Sequence, residues 1–207
     1  FTKYIKNEED LKSMACIEPA GVAFVACENA NILPGDNVVI FGGGPIGAYI
    51  AMFSRKIFGA SEIYIVEPVE FRRKILKKWT DNVYEKVDYI KDNIENINII
   101  FEASGELENI NHIFESLAPN GKVVLLGRSG RELNLKNVDH MITNNIKIIG
   151  SRGHLGGAFF KIFKLYSKGM IDLNHIITTE IVGLSSLKEI LTNDFIHMNC
   201  KAIVKLK

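Results

Sequence analysis

The chain has 207 residues, room for one large or two small domains, and its apolar content of 47% is ordinary for a globular protein. Lys and Arg number 25 against 24 Asp and Glu, so nothing points to a nucleic-acid partner, which would need a strongly basic face. No apolar run is long enough to span a membrane, and the charged opening, residues 1–10, is no signal peptide.

Phe1 in place of an initiator Met points to an excised or cleaved piece. The three cysteines, Cys16, Cys27 and Cys200, are scattered and show no C-x-x-C spacing. That pattern argues against a disulfide framework or a cysteine-rich zinc site, and it predicts a reducing, cytoplasmic setting with each thiol a small buried side chain.

Asn7 followed by Glu8, Glu9 and Asp10 predicts a capped helix start, and the helix must kink or end near Glu18-Pro19. Leu33-Pro-Gly-Asp36 is a turn. Strand 37–42 then leads into helix 45–57, strand 62–67 and helix 69–79, whose Arg72, Arg73, Lys74, Lys77 and Lys78 read as a solvated face. A weak strand is expected near Lys86–Ile90. Strand 97–102, a helix carrying Ile110, Ile113, Phe114 and Leu117, strand 122–127 and strand 146–150 complete the alternation. Such alternation predicts an α/β fold, a Rossmann doubly wound parallel sheet of order 3-2-1-4-5-6. Beyond Gly150 a glycine loop, a helix through Phe160, Phe163 and Tyr166, a short helix capped by Ser186 with Glu189, and a final alternating strand 201–207 are expected. The predicted divisions are an N-terminal helical segment 1–30, a dinucleotide-binding domain 31–155 and C-terminal helices and strand 156–207.

The chemistry concentrates at the first strand-to-helix turn. Gly42, Gly44 and Gly47 give the G-x-G-x-x-G spacing directly after the apolar run Val38-Val-Ile-Phe41. Gly42 allows the sharp turn, Gly44 lets a pyrophosphate approach the backbone, and Gly47 lets the helix sit close to the strand. Pro45 suits the first helical turn, and the free N–H groups there favour phosphate. Glu67 lies twenty residues beyond Gly47 at the end of the second strand. An acid there accepts hydrogen bonds from the ribose hydroxyls of NAD and repels the extra phosphate of NADP, the plainer alternative being a solvated strand-end carboxylate.

An ordered set of landmarks carries a family resemblance: Glu18-Pro19, Leu33-Pro-Gly-Asp36, Gly42-Gly-Gly-Pro-Ile-Gly47, Glu67-Pro-Val-Glu-Phe-Arg72-Arg73, Phe101-Glu-Ala-Ser-Gly105, Gly121-Lys-Val-Val-Leu-Leu-Gly127 and Ile149-Gly-Ser-Arg-Gly153. The chain resembles the coenzyme half of zinc-type medium-chain alcohol and polyol dehydrogenases, nearest the sorbitol, threonine and butanediol branch. The resemblance implies NAD-dependent hydride exchange between a secondary alcohol or polyol and its ketone or aldehyde, assisted by zinc held mostly in a separate N-terminal catalytic domain. It implies cofactor roles for Gly42, Gly44, Pro45, Ile46, Gly47, Glu67 and Arg72, the last beside the adenine. It extends them to Ala103 and Ser104 after the fourth strand, Gly127 and Arg128 after the fifth, and Ser151 and Arg152 after the sixth. His154 stands open between a cofactor or substrate contact and a polar loop residue. Glu18 matches the acid of the family's Glu-Pro motif and is the one metal-site candidate, although a single carboxylate cannot make a zinc site. Segment 156–207 would return toward the missing domain. A homodimer or tetramer joined through the sixth-strand edge is implied, with no nucleic-acid or membrane partner. A stand-alone dinucleotide-binding redox sensor is the alternative. Trp79-Thr-Asp-Asn82 departs from the family's pattern after the second helix, so the adenine-side edge is expected to be trimmed.

Overall fold

The structure, a computed structural model, describes residues 5–90, 94, 96–153, 157–185, 191, 195 and 198–206. Helix α1 (Glu8–Met14) starts at Asn7, whose side chain accepts the Asp10 amide at 2.9 Å. It stops three residues before α2 (Ile17–Ala30). The Glu18-Pro19 pair therefore falls in the first turn of a new helix, where proline forfeits no helical hydrogen bond. Helix α2 closes at Asn31, in a left-handed conformation with φ of 48°.

Strand β1 (Asn37–Phe41) leads into α3 (Pro45–Lys56), and β2 (Glu62–Val66) into α4 (Glu70–Leu76). Strand β3 (Val83–Tyr84) is two residues long, and the residues expected to form a strand at Lys86–Ile90 instead make a 3-10 turn at Val87–Tyr89. Strand β3 pairs with β2 in the register Ile65 to Val83 and Val66 to Tyr84. Strand β4 (Ile97–Glu102) is followed by α5 (Glu108–Ile113) and a 3-10 turn, Phe114–Ser116. Leu117, expected in the helix, opens β5 (Leu117–Leu125) and pairs with Ile97. A short helix absent from the sequence reading, α6 (Val138–Thr143), is capped by Asn137 and precedes β6 (Lys147–Gly150).

The six strands run parallel in the order β3-β2-β1-β4-β5-β6, as expected. Both neighbours of β1 are in register along its length, Val38 facing Ile63 and Ile99. Strand residues alternate between two apolar layers. Val38, Ile40, Ile63, Ile65, Ile99 and Phe101 pack with α2, α3 and Ile162 of α7 (Ala158–Ser167). Val39, Phe41, Ile100 and Val123 pack with Val87, Ile110, Ile113 and Phe114 on the other face. Each fully buried Ile or Phe contributes roughly 1.5–3 kcal/mol, which explains why the central strands read as continuous apolar runs.

A second sheet pairs β7 (Ile177–Val182) with β8 (Lys201–Lys205) in parallel. The last strand is expected from the sequence; its partner β7 is not, although Ile177-Thr-Thr and Ile181-Val carry β-branched side chains. The capped helix expected at Ser186–Glu189 lies outside the described residues, as does His154. Among the described residues, no helix is long and apolar enough to cross a membrane.

Candidate cofactor site

The order of the sheet reverses between β1 and β4, and an open parallel sheet binds ligands at the carboxyl ends of its strands at such a point. Gly42 stands there with φ of +94°. A Cβ on Gly42 would lie 3.0 Å from Ala103 and Ser104 main-chain atoms, and one on Gly47 would run into the Gly42 carbonyl oxygen. These two glycines allow strand, turn and α3 to close on one another. Gly44 differs, since a Cβ there would meet nothing within 4 Å. It caps α3 in an extended conformation with Pro45 behind it. The first turn of α3 thus presents N–H groups toward open space, the arrangement that receives phosphate. Ile46 is half-buried in that turn and packs on the core of the α2–α3 face.

Glu67 follows β2 and is only 3% exposed. Its Oε2 accepts the Gly43 amide at 2.7 Å and its Oε1 accepts the Val69 amide at 2.9 Å. Arg72 on α4 donates through Nε to the Asn199 carbonyl at 3.0 Å, and its terminal nitrogen lies 3.9 Å from Glu67 Oε2. Arg73, which the sequence reading left on a solvated face, donates to the Glu67 and Pro68 carbonyls at 2.9 and 2.6 Å. It also approaches Glu85 at 3.7 Å, so it staples the end of β2 to the segment after β3.

Two clefts flank this centre. One, of about 450 Å³, is lined by Gly42, Val66, Pro68, Val87, Ser104 and His112, among others. The other, of about 530 Å³, is lined by Leu126, Gly127, Arg128, Ser151 and Arg152, with Val22 of α2. Of the expected site residues, Gly42 and Ser104 line the first cleft and Gly127, Arg128, Ser151 and Arg152 the second, while Arg72 is turned toward Asn199. No carboxylate lines the second cleft among the described residues, and both of its arginines are exposed. The Ser151 hydroxyl accepts from Asn29 of α2 at 3.1 Å, which ties this cleft to the N-terminal helix. Glu18 lies one turn before Val22 on α2. Among the described residues, no group of three or more His, Cys, Asp or Glu gathers for a metal ion. The residues described here do not fit a zinc site by themselves.

The three cysteines are buried and unpaired. Burial pushes the Cys200 thiol up to about 12, with the Arg72 charge pulling the other way, and burial likewise raises Cys27. Neither is a thiolate at neutral pH. Glu102, quoted only as part of a landmark in the sequence, accepts three hydrogen bonds through its side chain beside the clefts. The signal available for it was an acid closing an otherwise apolar strand run.

The profile of the family described as zinc-binding dehydrogenase matches residues 45–168. The chain belongs to that family. The L-threonine 3-dehydrogenase of Thermococcus kodakarensis is 29% identical over 195 residues, covering 89% of this chain and 55% of that protein. The scyllo-inosose 3-dehydrogenase of Thermotoga maritima is 32% identical over 182 residues, covering 80% of this chain and 45% of that one. The solved structure of L-idonate 5-dehydrogenase from Escherichia coli superposes with a TM-score of 0.79 at 25% identity, covering 93% of this chain and 56% of that chain. The chain spans about half the length of these dehydrogenases and corresponds to the coenzyme-binding half of its family.

Proposed function

We propose that this chain is the NAD(H)-holding part of an oxidoreductase that exchanges hydride between a secondary alcohol or polyol and its ketone or aldehyde. The observation that carries the reading is the opening over Gly44, where the start of α3 faces space that a Cβ would begin to fill. The pyrophosphate would lie on Gly44, Pro45, Ile46 and Gly47. The adenosine end would enter the cleft beside Gly42, Ala103 and Ser104, near Glu67 and Arg72. The nicotinamide end would lie along Gly127, Arg128, Ser151 and Arg152, where Val22 and Leu126 supply apolar walls that limit water. When bound, the nicotinamide supplies the hydride acceptor. The chain's own contribution is to bind it, orient it and exclude one layer of solvent.

Several finer readings belong to the same proposal. Residues 1–30 serve as an interdomain segment, 31–155 as the dinucleotide domain and 156–207 as the return toward a catalytic domain. Glu18 would lie where the resemblance sets an acid near the metal. The exposed edge of β6, paired on one side with β5, would join two copies of the chain. The setting would be cytoplasmic. Calorimetric titration with NADH tests the main reading: the wild-type chain should bind it, and Gly44→Asp, which puts a carboxylate in the opening, should abolish binding without unfolding the chain. Equal binding by both would remove the phosphate role of the turn. Sedimentation at high concentration tests the β6 edge, and a strict monomer counts against it.

A further inference from the structure

We propose that Glu102 is a positioning residue that holds the two clefts at one spacing; the inference rests on the reading of those clefts as a cofactor site. Glu102 ends β4 and is fully buried. Its Oε1 accepts the amides of Ser104 and Gly105, both at 2.8 Å, and the Ser104 hydroxyl at 2.5 Å. Its main-chain oxygen accepts the amides of Leu126 and Gly127, both at 2.9 Å. One residue thus binds the turn after β4, which lines the first cleft, and the end of β5, which lines the second.

The other carboxylate oxygen explains why an acid stands here. Oε2 is buried and has no hydrogen-bond partner among the described residues. It lies against Gly127, where a Cβ would stand 2.5 Å from Oε2 and press on the Gly105 amide nitrogen. Gly105, the Glu102 carboxylate and Gly127 form a stack with no spare volume. A carboxylate is acceptor-only and brings no hydrogen into the Gly127 contact, whereas an amide in its place would put either an NH₂ there or its donors against Ser104 and Gly105. Burial of an acid is costly, and three donors on one oxygen are what hold it. The stack transmits any displacement of one turn to the other because close-packed groups cannot yield separately.

Amide hydrogen exchange of the ligand-free chain, with NADH and AMP titrations, tests this on wild type, Glu102→Gln and Gly127→Ala. Glu102→Gln should speed exchange at Ser104 and Gly105 by about tenfold or more and, with them, at Leu126 and Gly127, whose own acceptor is unchanged. It should weaken NADH, which spans both clefts, by about tenfold and AMP, which uses one, by less than about threefold. Gly127→Ala, which forces the stack apart from the other side, should give the same pattern, and the double variant should be no worse than either. Faster exchange confined to Ser104 and Gly105, or equal losses for NADH and AMP, overturns the proposal. A wild-type chain that binds no NADH overturns the cofactor reading, and the exchange pattern then decides on the stack by itself.

Discussion

The Gly43 amide donates to Glu67 Oε2 at 2.7 Å and fastens the glycine turn after β1 to the end of β2. The same carboxylate accepts Val69, so both of its oxygens hold backbone and its body is buried. Glu67 therefore shapes the turn, in addition to the ribose role proposed for it. Replacing it by Ala leaves two inward amides without acceptors, at about 1–3 kcal/mol each. Glu67→Ala should melt several degrees lower than wild type, bind NADH about tenfold more weakly and show a narrower gap between NADH and NADPH. Thermal denaturation and paired calorimetric titrations check this. An unchanged NADH to NADPH ratio would leave Glu67 with the structural part alone.

The glycines of the turn should separate fold from binding. A Cβ at Gly47 collides with the Gly42 carbonyl, whereas one at Gly44 meets nothing. Gly47→Ala should destabilise the chain by about 1–3 kcal/mol through overpacking, with NADH binding lost as a consequence. Gly44→Ala should melt like wild type yet bind NADH at least about tenfold more weakly, because its methyl group stands where the phosphate would approach the backbone. Melting curves beside titrations distinguish the two. A Gly44→Ala chain with wild-type affinity would move the phosphate away from this turn.

Much of this fold was legible because its central strands are buried on both faces. Val38–Phe41 reads as an uninterrupted apolar run, Ile97–Phe101 as one broken at Asn98, and the glycine spacing marked the turn between β1 and α3. Elements that depend on distant partners were not. Strand β7 is half-exposed and acquires its strand form by pairing with β8, so no local period announced it. Leu117 has the spacing of the preceding helix, but pairing with Ile97 draws it into β5. Glycine spacing and strand-end positions pointed to loops that line the two clefts. The ion pair of Arg73 with Glu85 and the bonds from the Leu126 and Gly127 amides to the Glu102 carbonyl follow from three-dimensional closure.

His175 gives the chain a pH dependence of stability. Burial lowers it from the ordinary 6.5 to about 4, against the pull of Asp172, while Lys78 and Lys56 add to the lowering. Its Nδ1 lies 2.6 Å from the Asp172 carbonyl oxygen, and the Tyr49 and Trp79 rings stand edge-on at 5.3 and 4.9 Å. Between those two pKa values the unfolded chain holds more protons than the folded one. Stability is therefore complete above about pH 6.5 and falls as pH drops toward 4, by about 2 kcal/mol at pH 5. Melting temperatures at pH 7 and pH 5 should differ accordingly, and His175→Phe should lose that difference. A variant that keeps the full difference would assign it to other groups.

The central claim is that the opening over Gly44 at the start of α3 holds the pyrophosphate of NAD(H). Isothermal titration of NADH into the wild-type chain and into Gly44→Asp tests it most directly. Saturable binding by wild type, abolished in a variant with an unchanged melting temperature, is the outcome this account requires. No binding by the folded wild-type chain, or equal binding by the variant, would contradict it.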